Sequence, residues 1–190
     1  DDVLVAGRYA TSGSEDLALL RKTSLHGAFA WNRPFATEAA ADAATAMAIL
    51  PDSTVVIAGS SSAVLGPDDP GGEEAFLVRY GPDSDQEWIA RFGSGEGLYD
   101  LVSAVALTPD GSTVVTGEME KGQGYLTKID AASNLVWTTS DRALDVGFEY
   151  YYLSTTDVAI GPNDSIYVVG HYQPPSWYAS NRPFVARFNA

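Results

Sequence analysis

Apolar residues in this chain come in short bursts, each closed by Pro, Gly, Asp or Asn. Bursts of that length, rich in β-branched and aromatic residues, predict β-strands; helices need longer segments with a 3.6-residue period. Three stretches align without a gap: Ala48 to Gly59, Ala106 to Gly117 and Ala159 to Gly170. In each, Pro51, Pro109 or Pro162 stands three residues after the Ala and eight before the Gly. The opening Val3-Leu4-Val5-Ala6-Gly7 matches the tail of the same stretch, and the closing glycines at 7, 59, 117 and 170 are 52, 58 and 53 residues apart. Self-similarity at a fixed period of about 50 residues is the first thing to explain in any sequence that shows it.

A second landmark follows each glycine. It reads Phe76-Leu77-Val78-Arg79, Tyr125-Leu126-Thr127-Lys128 and Phe184-Val185-Ala186-Arg187, with Ala18-Leu19-Leu20-Arg21 as the first copy. A tryptophan comes nine or ten positions after the basic residue, at Trp31, Trp88 and Trp137. Each repeat thus resolves into four strands. Strand a is apolar, and a Pro-Asp or Pro-Asn turn leads to the β-branched strand b. Strand c carries the aromatic and the basic residue, and strand d carries the Trp. Pro presets φ, while Asp, Asn and Gly tolerate tight-turn geometry, so the a–b pair is a hairpin.

Four-stranded repeats of this length predict an all-β fold of β-propeller blades. The predicted division is a partial blade over 1–38, blades over 39–96 and 97–146, and a partial blade over 147–190. Both ends cut through a blade. A propeller closes with about four complete blades at least, so the sequence reads as a stretch of a larger propeller, or as one completed by another chain. The pattern resembles the SBBP-type β-propeller repeat of bacterial exported proteins, through Pro109-Asp110-Gly111 to Gly117, Tyr125 to Lys128 and Asn134-Leu135-Val136-Trp137. Pro51-Asp52-Ser53 and Pro162-Asn163-Asp164 lack the turn Gly of that repeat. The resemblance implies the fold and an extracellular or cell-surface location (secreted or periplasmic). It implies no reaction, because function lives in sites grafted on a fold.

Composition narrows the partners. Asp and Glu number 25 against 11 Lys and Arg, a net charge of −14. A field of that sign repels nucleic-acid phosphates and anionic headgroups, so nucleic acid is excluded as a partner. No apolar run approaches the about 18 residues that would insert in a membrane. With no cysteine there is no disulfide and no thiolate site. Catalytic motifs are missing too: the chain has two histidines, His26 and His171, and no Gly-x-Ser-x-Gly, His-Glu-x-x-His or P-loop sequence. The expectation is a non-catalytic scaffold with no cofactor, binding a protein partner or further blades of the same or another chain.

Length variation places a site. The a–b turns keep one length and the c–d turns nearly so, whereas b–c and d–a loops differ from repeat to repeat. Variable loops on a rigid scaffold are where binding resides. Two loop groups carry chemistry. Asp68, Asp69, Glu73 and Glu74 crowd one b–c loop; this reads either as a solvated acidic loop or as a calcium site, since calcium takes six to eight oxygens. Tyr150, Tyr151 and Tyr152 in a d–a loop face His171, Tyr172, Trp177 and Tyr178 in the next b–c loop. These aromatics read either as packing between blades or as a surface that stacks on a glycan or anchors a protein. The repeated basic residue reads as a structural partner for a carboxylate on a neighbouring strand.

Overall fold

The computed structural model describes residues 2–10, 16–35, 42–62, 74–92, 100–119, 123–140, 149–150, 152–175 and 180–189. These residues are all-β. The strands are β1 (Asp2–Ala10), β2 (Asp16–Ser24), β3 (Phe29–Phe35), β4 (Asp42–Ile49), β5 (Val55–Ser61), β6 (Glu74–Tyr80) and β7 (Gln86–Phe92). They continue as β8 (Leu101–Leu107), β9 (Thr113–Met119), β10 (Gln123–Ile129), β11 (Leu135–Ser140), β12 (Tyr152–Ile160), β13 (Ile166–Gln173) and β14 (Arg182–Phe188). Successive strands pair antiparallel in four units: β1–β3, β4–β7, β8–β11 and β12–β14. The parallel pair Gln123↔Leu153 joins the last two units into one seven-stranded sheet. No helix among the described residues is long and apolar enough to cross a membrane.

The hairpin turns share one design. The N–H of Leu50 donates to Thr54 O at 2.9 Å and that of Ser53 to Leu50 O at 2.9 Å, with Ser53 at φ +74°. Thr108–Ser112, Gly81–Asp85, Asp130–Asn134 and Ser24–Ala28 repeat these two bonds, with Gly111, Ser84, Ser133 and Gly27 at positive φ. A type I turn followed by a left-handed residue matches the twist of the flanking strands. Serine therefore fills the position where the sequence pattern called for Gly. The Pro162 turn keeps the length but not the backbone: Asn163 and Asp164 both have positive φ, at +58° and +56°.

The first strand of the second, third and fourth units carries a bulge at an equivalent place, at Thr45 in β4, Ser103 in β8 and Thr156 in β12. The bulge drives a carbonyl of the inner strand onto the glycine opposite. A Cβ on Gly59 would sit 1.9 Å from Ala43 O, one on Gly117 1.9 Å from Leu101 O, and one on Gly170 2.0 Å from Ser154 O. This is the physical reason for the repeated glycine.

The units pack face to face. Val55, Ile57, Phe76, Val78 and Tyr80 of the second unit bury against Ala18 and Leu20 of the first. Its other face, Val56, Ala58, Ala75 and Leu77, buries against Val102, Val105, Val115, Tyr125 and Ile129 of the third. Val114 and Leu126 of the third unit then meet Val158, Ile166, Val168, Phe184 and Ala186 of the fourth. Successive residues on a strand point to opposite faces, and both faces are covered. That is why β5 and β6 read as continuous apolar runs rather than as alternation. The first strands of these units, β4, β8 and β12, touch one another in turn.

Register corrects one expectation. Gly59 pairs with Phe76, Gly117 with Tyr125 and Gly170 with Phe184, but Gly7 pairs with Leu19. The first copy of the second landmark is therefore Leu19 to Lys22, one residue later than Ala18 to Arg21. The basic residue opposite the tryptophan is Lys22, paired with Trp31 as Arg79 is with Trp88 and Lys128 with Trp137. Lys22 Nζ lies 2.9 Å from Asp2 on β1, and Arg79 Nε lies 2.7 Å from Glu87 on β7. Arg79 also crosses to the next unit, where its Nη1 donates to Gly111 O at 2.9 Å. Trp88 Nε1 donates to Ala131 O at 3.0 Å, and Arg33 Nε to Ser84 O at 3.1 Å. Across the first two junctions the turn end is thus tied by long donors that reach backbone carbonyls.

Candidate functional site

At the opposite end of the strands, β12 and β13 pair Tyr152↔Gln173 and Ser154↔His171. Residues two apart on a strand share a face, so Tyr152, Ser154, His171 and Gln173 lie together. The Tyr152 and His171 rings are 6.2 Å apart and tilted by 39°. Glu118, near the end of β9 in the preceding unit, completes the group. Tyr152 Oη donates to Glu118 Oε1 at 3.1 Å, and Ser154 Oγ donates to the same oxygen. Thr155 Oγ1 donates to Gly117 O at 2.7 Å, which fixes β12 against β9. Partial burial, and then the Glu118 charge, push the Tyr152 hydroxyl above the usual phenol range. Burial, aided by the charge of Asp100, raises the fully buried Tyr125 hydroxyl in the same way.

The remaining expected aromatics divide. Tyr150 and Tyr172 pack against the core between the third and fourth units, where Leu153, paired with Tyr172, is fully buried. Both rings are half-buried there. Tyr151, Trp177 and Tyr178 lie outside the described residues, as do Asp68, Asp69 and Glu73. Glu74 opens β6 opposite Ser61. No cluster of three or more His, Asp or Glu suited to a metal occurs among the described residues.

Glu118 and Ser154 fall in variable loops of the sequence pattern, which gives neither of them a role. A signal existed: the position after the repeated glycine holds Arg8, Ser60, Glu118 and His171. Reading the repeats by position rather than by loop length would have flagged it as the place where each unit differs. Chemically, the group offers hydroxyls, a carboxylate and two rings at one edge. Ser154 gives its hydrogen to Glu118, and the ring facing His171 is Tyr152. This is not the serine–histidine geometry of nucleophilic catalysis. Elsewhere, a cavity of ≈ 290 Å³ at the turn end is lined by the Asp2–Lys22 pair, Trp31 and Pro82, among others.

Comparison of the sequence with protein-family models and with curated proteins yields no match.

Proposed function

We propose that the four units are blades of a β-propeller of the SBBP type, and that the chain is an exported, non-catalytic scaffold for a protein partner. One observation carries the reading. At the turn end five hairpins share one design and the first three units are tied in succession, whereas the loop end brings Glu118 of one unit onto Tyr152 and Ser154 of the next. A repeated surface offers a partner only periodic contacts; a surface that differs in each unit can select one. Face-to-face cores in the same order across three junctions, with inner strands in sequence, support the propeller arrangement. The test is a crosslinking map of the native assembly, with photo-reactive groups placed in turn at Tyr152, His171, Asp52 and Asp110. Partner adducts should form at the first two. Adducts confined to the Pro-Asp turns would overturn the choice of end.

Tyr152, His171 and Glu118 also support a second reading, a carbohydrate-binding blade edge. Sugar rings stack on aromatic faces while a carboxylate accepts hydroxyl hydrogens. On that reading, binding on a glycan array disappears with Tyr152→Ala, and Trp177→Ala and Tyr151→Ala weaken it. Array binding that survives all three substitutions would refute it.

A further inference from the structure

Two carboxylates of the fold are neutralised by cations of their own unit: Lys22 lies 2.9 Å from Asp2, and Arg79 lies 2.7 Å from Glu87. Glu118 is treated differently. Among the described residues, the groups that bond to its carboxylate are two neutral hydroxyls, Tyr152 Oη at 3.1 Å and Ser154 Oγ. Both donate to the same oxygen, Oε1. A carboxylate accepts about four hydrogen bonds, two on each oxygen, so Oε1 is filled and Oε2 keeps its capacity for a further donor.

The arrangement is firmly held. Ser154 is 4% exposed, so its hydroxyl cannot turn to water, and Thr155 Oγ1 fixes β12 on β9 through Gly117 O at 2.7 Å. Glu118 and Tyr152 are half-buried and so remain reachable from solvent. The group also belongs to the internal junction of the third and fourth units alone. Strand pairing places Arg8 with Ala43 and Ser60 with Leu101 at the equivalent positions of the two earlier junctions.

We propose that Glu118, Tyr152 and Ser154 form a recognition site for an arginine side chain of a protein partner. The inference rests on the scaffold reading and names the chemistry of its contact. A half-buried carboxylate bonded only to neutral donors keeps its full charge where water screens it less than at an open surface, so an arriving cation is held more strongly. Arginine fits best, because the guanidinium is planar, always charged and more weakly hydrated than an ammonium. One of its N–H groups donates to Oε2 while its flat face lies against the Tyr152 ring. The molecule uses both halves of this grip internally. Arg33 lies 5.2 Å over the Trp31 ring, and Arg79 donates to Glu87. The two hydroxyls are positioning groups that hold the carboxylate ready, which lowers the ordering cost of binding. The net charge of −14 draws a basic partner and repels an acidic one.

The test is titration of N-acetyl-argininamide into the isotope-labelled full chain, followed by backbone amide shifts. Saturable shifts should be confined to residues 117–119 and 152–155, with a dissociation constant on the order of 1 mM at low salt. N-acetyl-lysinamide should bind about fivefold more weakly. Glu118→Gln keeps an acceptor for both hydroxyls and should weaken binding about tenfold or more; Tyr152→Leu should erase the preference for arginine over lysine. Far-UV circular dichroism checks that both variants fold, and the wild-type shift map needs neither of them. No saturable shift at these residues up to about 50 mM would overturn the inference, and so would binding unchanged in folded Glu118→Gln. Shifts of the same amides by methyl α-glucoside in place of the arginine probe would assign the edge to sugars and overturn it as well. Failure of the scaffold reading is distinguishable. Partner adducts at Tyr152 that persist in Glu118→Gln sink the arginine contact alone, whereas arginine binding without any partner adduct sinks the scaffold alone.

Discussion

Replacing Gly117 with Ala places a methyl group 1.9 Å from Leu101 O, 2.9 Å from Leu101 C and 2.9 Å from Tyr125 Cε1. Unstrained contacts with carbon begin at about 3.5 Å. Neither neighbour is a flexible tip: Leu101 O is backbone of the bulged β8, and Tyr125 is fully buried in the core between the second and third units. Relief requires β8 to lift from β9. Overpacking of this kind costs about 1–3 kcal/mol, and one or two ladder hydrogen bonds of about 1 kcal/mol each are weakened as well. The reduced freedom of the unfolded chain returns about 0.4–1 kcal/mol. The net expectation is a loss of about 2–4 kcal/mol. For a chain of this size that lowers the unfolding midpoint temperature by about 5–15 °C. Gly7 is the internal control, since a Cβ there meets nothing within 4 Å; Gly7→Ala should stay within about 0.5 kcal/mol of wild type. Urea denaturation followed by tryptophan fluorescence measures both. Equal stability of the two variants would refute the idea that the repeated glycine exists to admit the bulged inner strand.

Four further outcomes follow from the same geometry. Arg79→Met removes both the Glu87 contact and the donor to Gly111 O and should cost about 1.5–3 kcal/mol by thermal melting. Glu87→Gln, at a carboxylate whose side chain is 43% exposed, should cost less than about 1 kcal/mol. Ser133→Gly, at φ +74°, should stabilise by about 0.5–1 kcal/mol in urea titrations, because serine pays a steric penalty in the left-handed region that Gly does not. Acid should loosen the turns. The Thr108 hydroxyl and the Ser112 N–H hold the Asp110 carboxyl down at about 2, and Asn134 and Thr54 lower Asp130 and Asp52 in the same sense. A depressed carboxylate stabilises the fold above its unfolded pKa, and that contribution is lost as pH falls from about 4 through 2. The urea midpoint should drop over that window, and Asp110→Ala should flatten the drop.

Much of the fold was legible because its determinants are local. The Pro-Asp turns, the β-branched runs and the repeated glycine each act within one hairpin, so the strands of the described residues and their antiparallel pairing within each unit could be read from spacing alone. The one-residue slip at Arg21 arose because Leu17, Leu19 and Leu20 are interchangeable by composition; only pairing across to Gly7 distinguishes them. The Pro162 turn keeps the expected length while its backbone departs from that of its counterparts. Equal length does not fix backbone shape, and the Asn163-Asp164 pair accepts positive φ twice where its counterparts do so once. The candidate site was less legible. Its Glu118 and Ser154 lie on consecutive units and meet across the junction of the two, which no sequence period encodes. Tyr172 shows the converse, since aromatic content alone does not say which face of a sheet a ring takes.

The face-to-face order of the units is tested most directly by methyl nuclear Overhauser contacts in the intact chain. The account predicts cross-peaks within the group of Val56, Leu77, Val115 and the Tyr125 ring, and within the separate group of Val114, Leu126, Val168 and Ala186. Val114 and Val115 are adjacent in sequence yet belong to different groups, so the assignment of faces is decided at a single peptide bond. Val115 contacting the Val168 group, or Val114 contacting the Val56 group, would contradict the stacking order on which the fold rests.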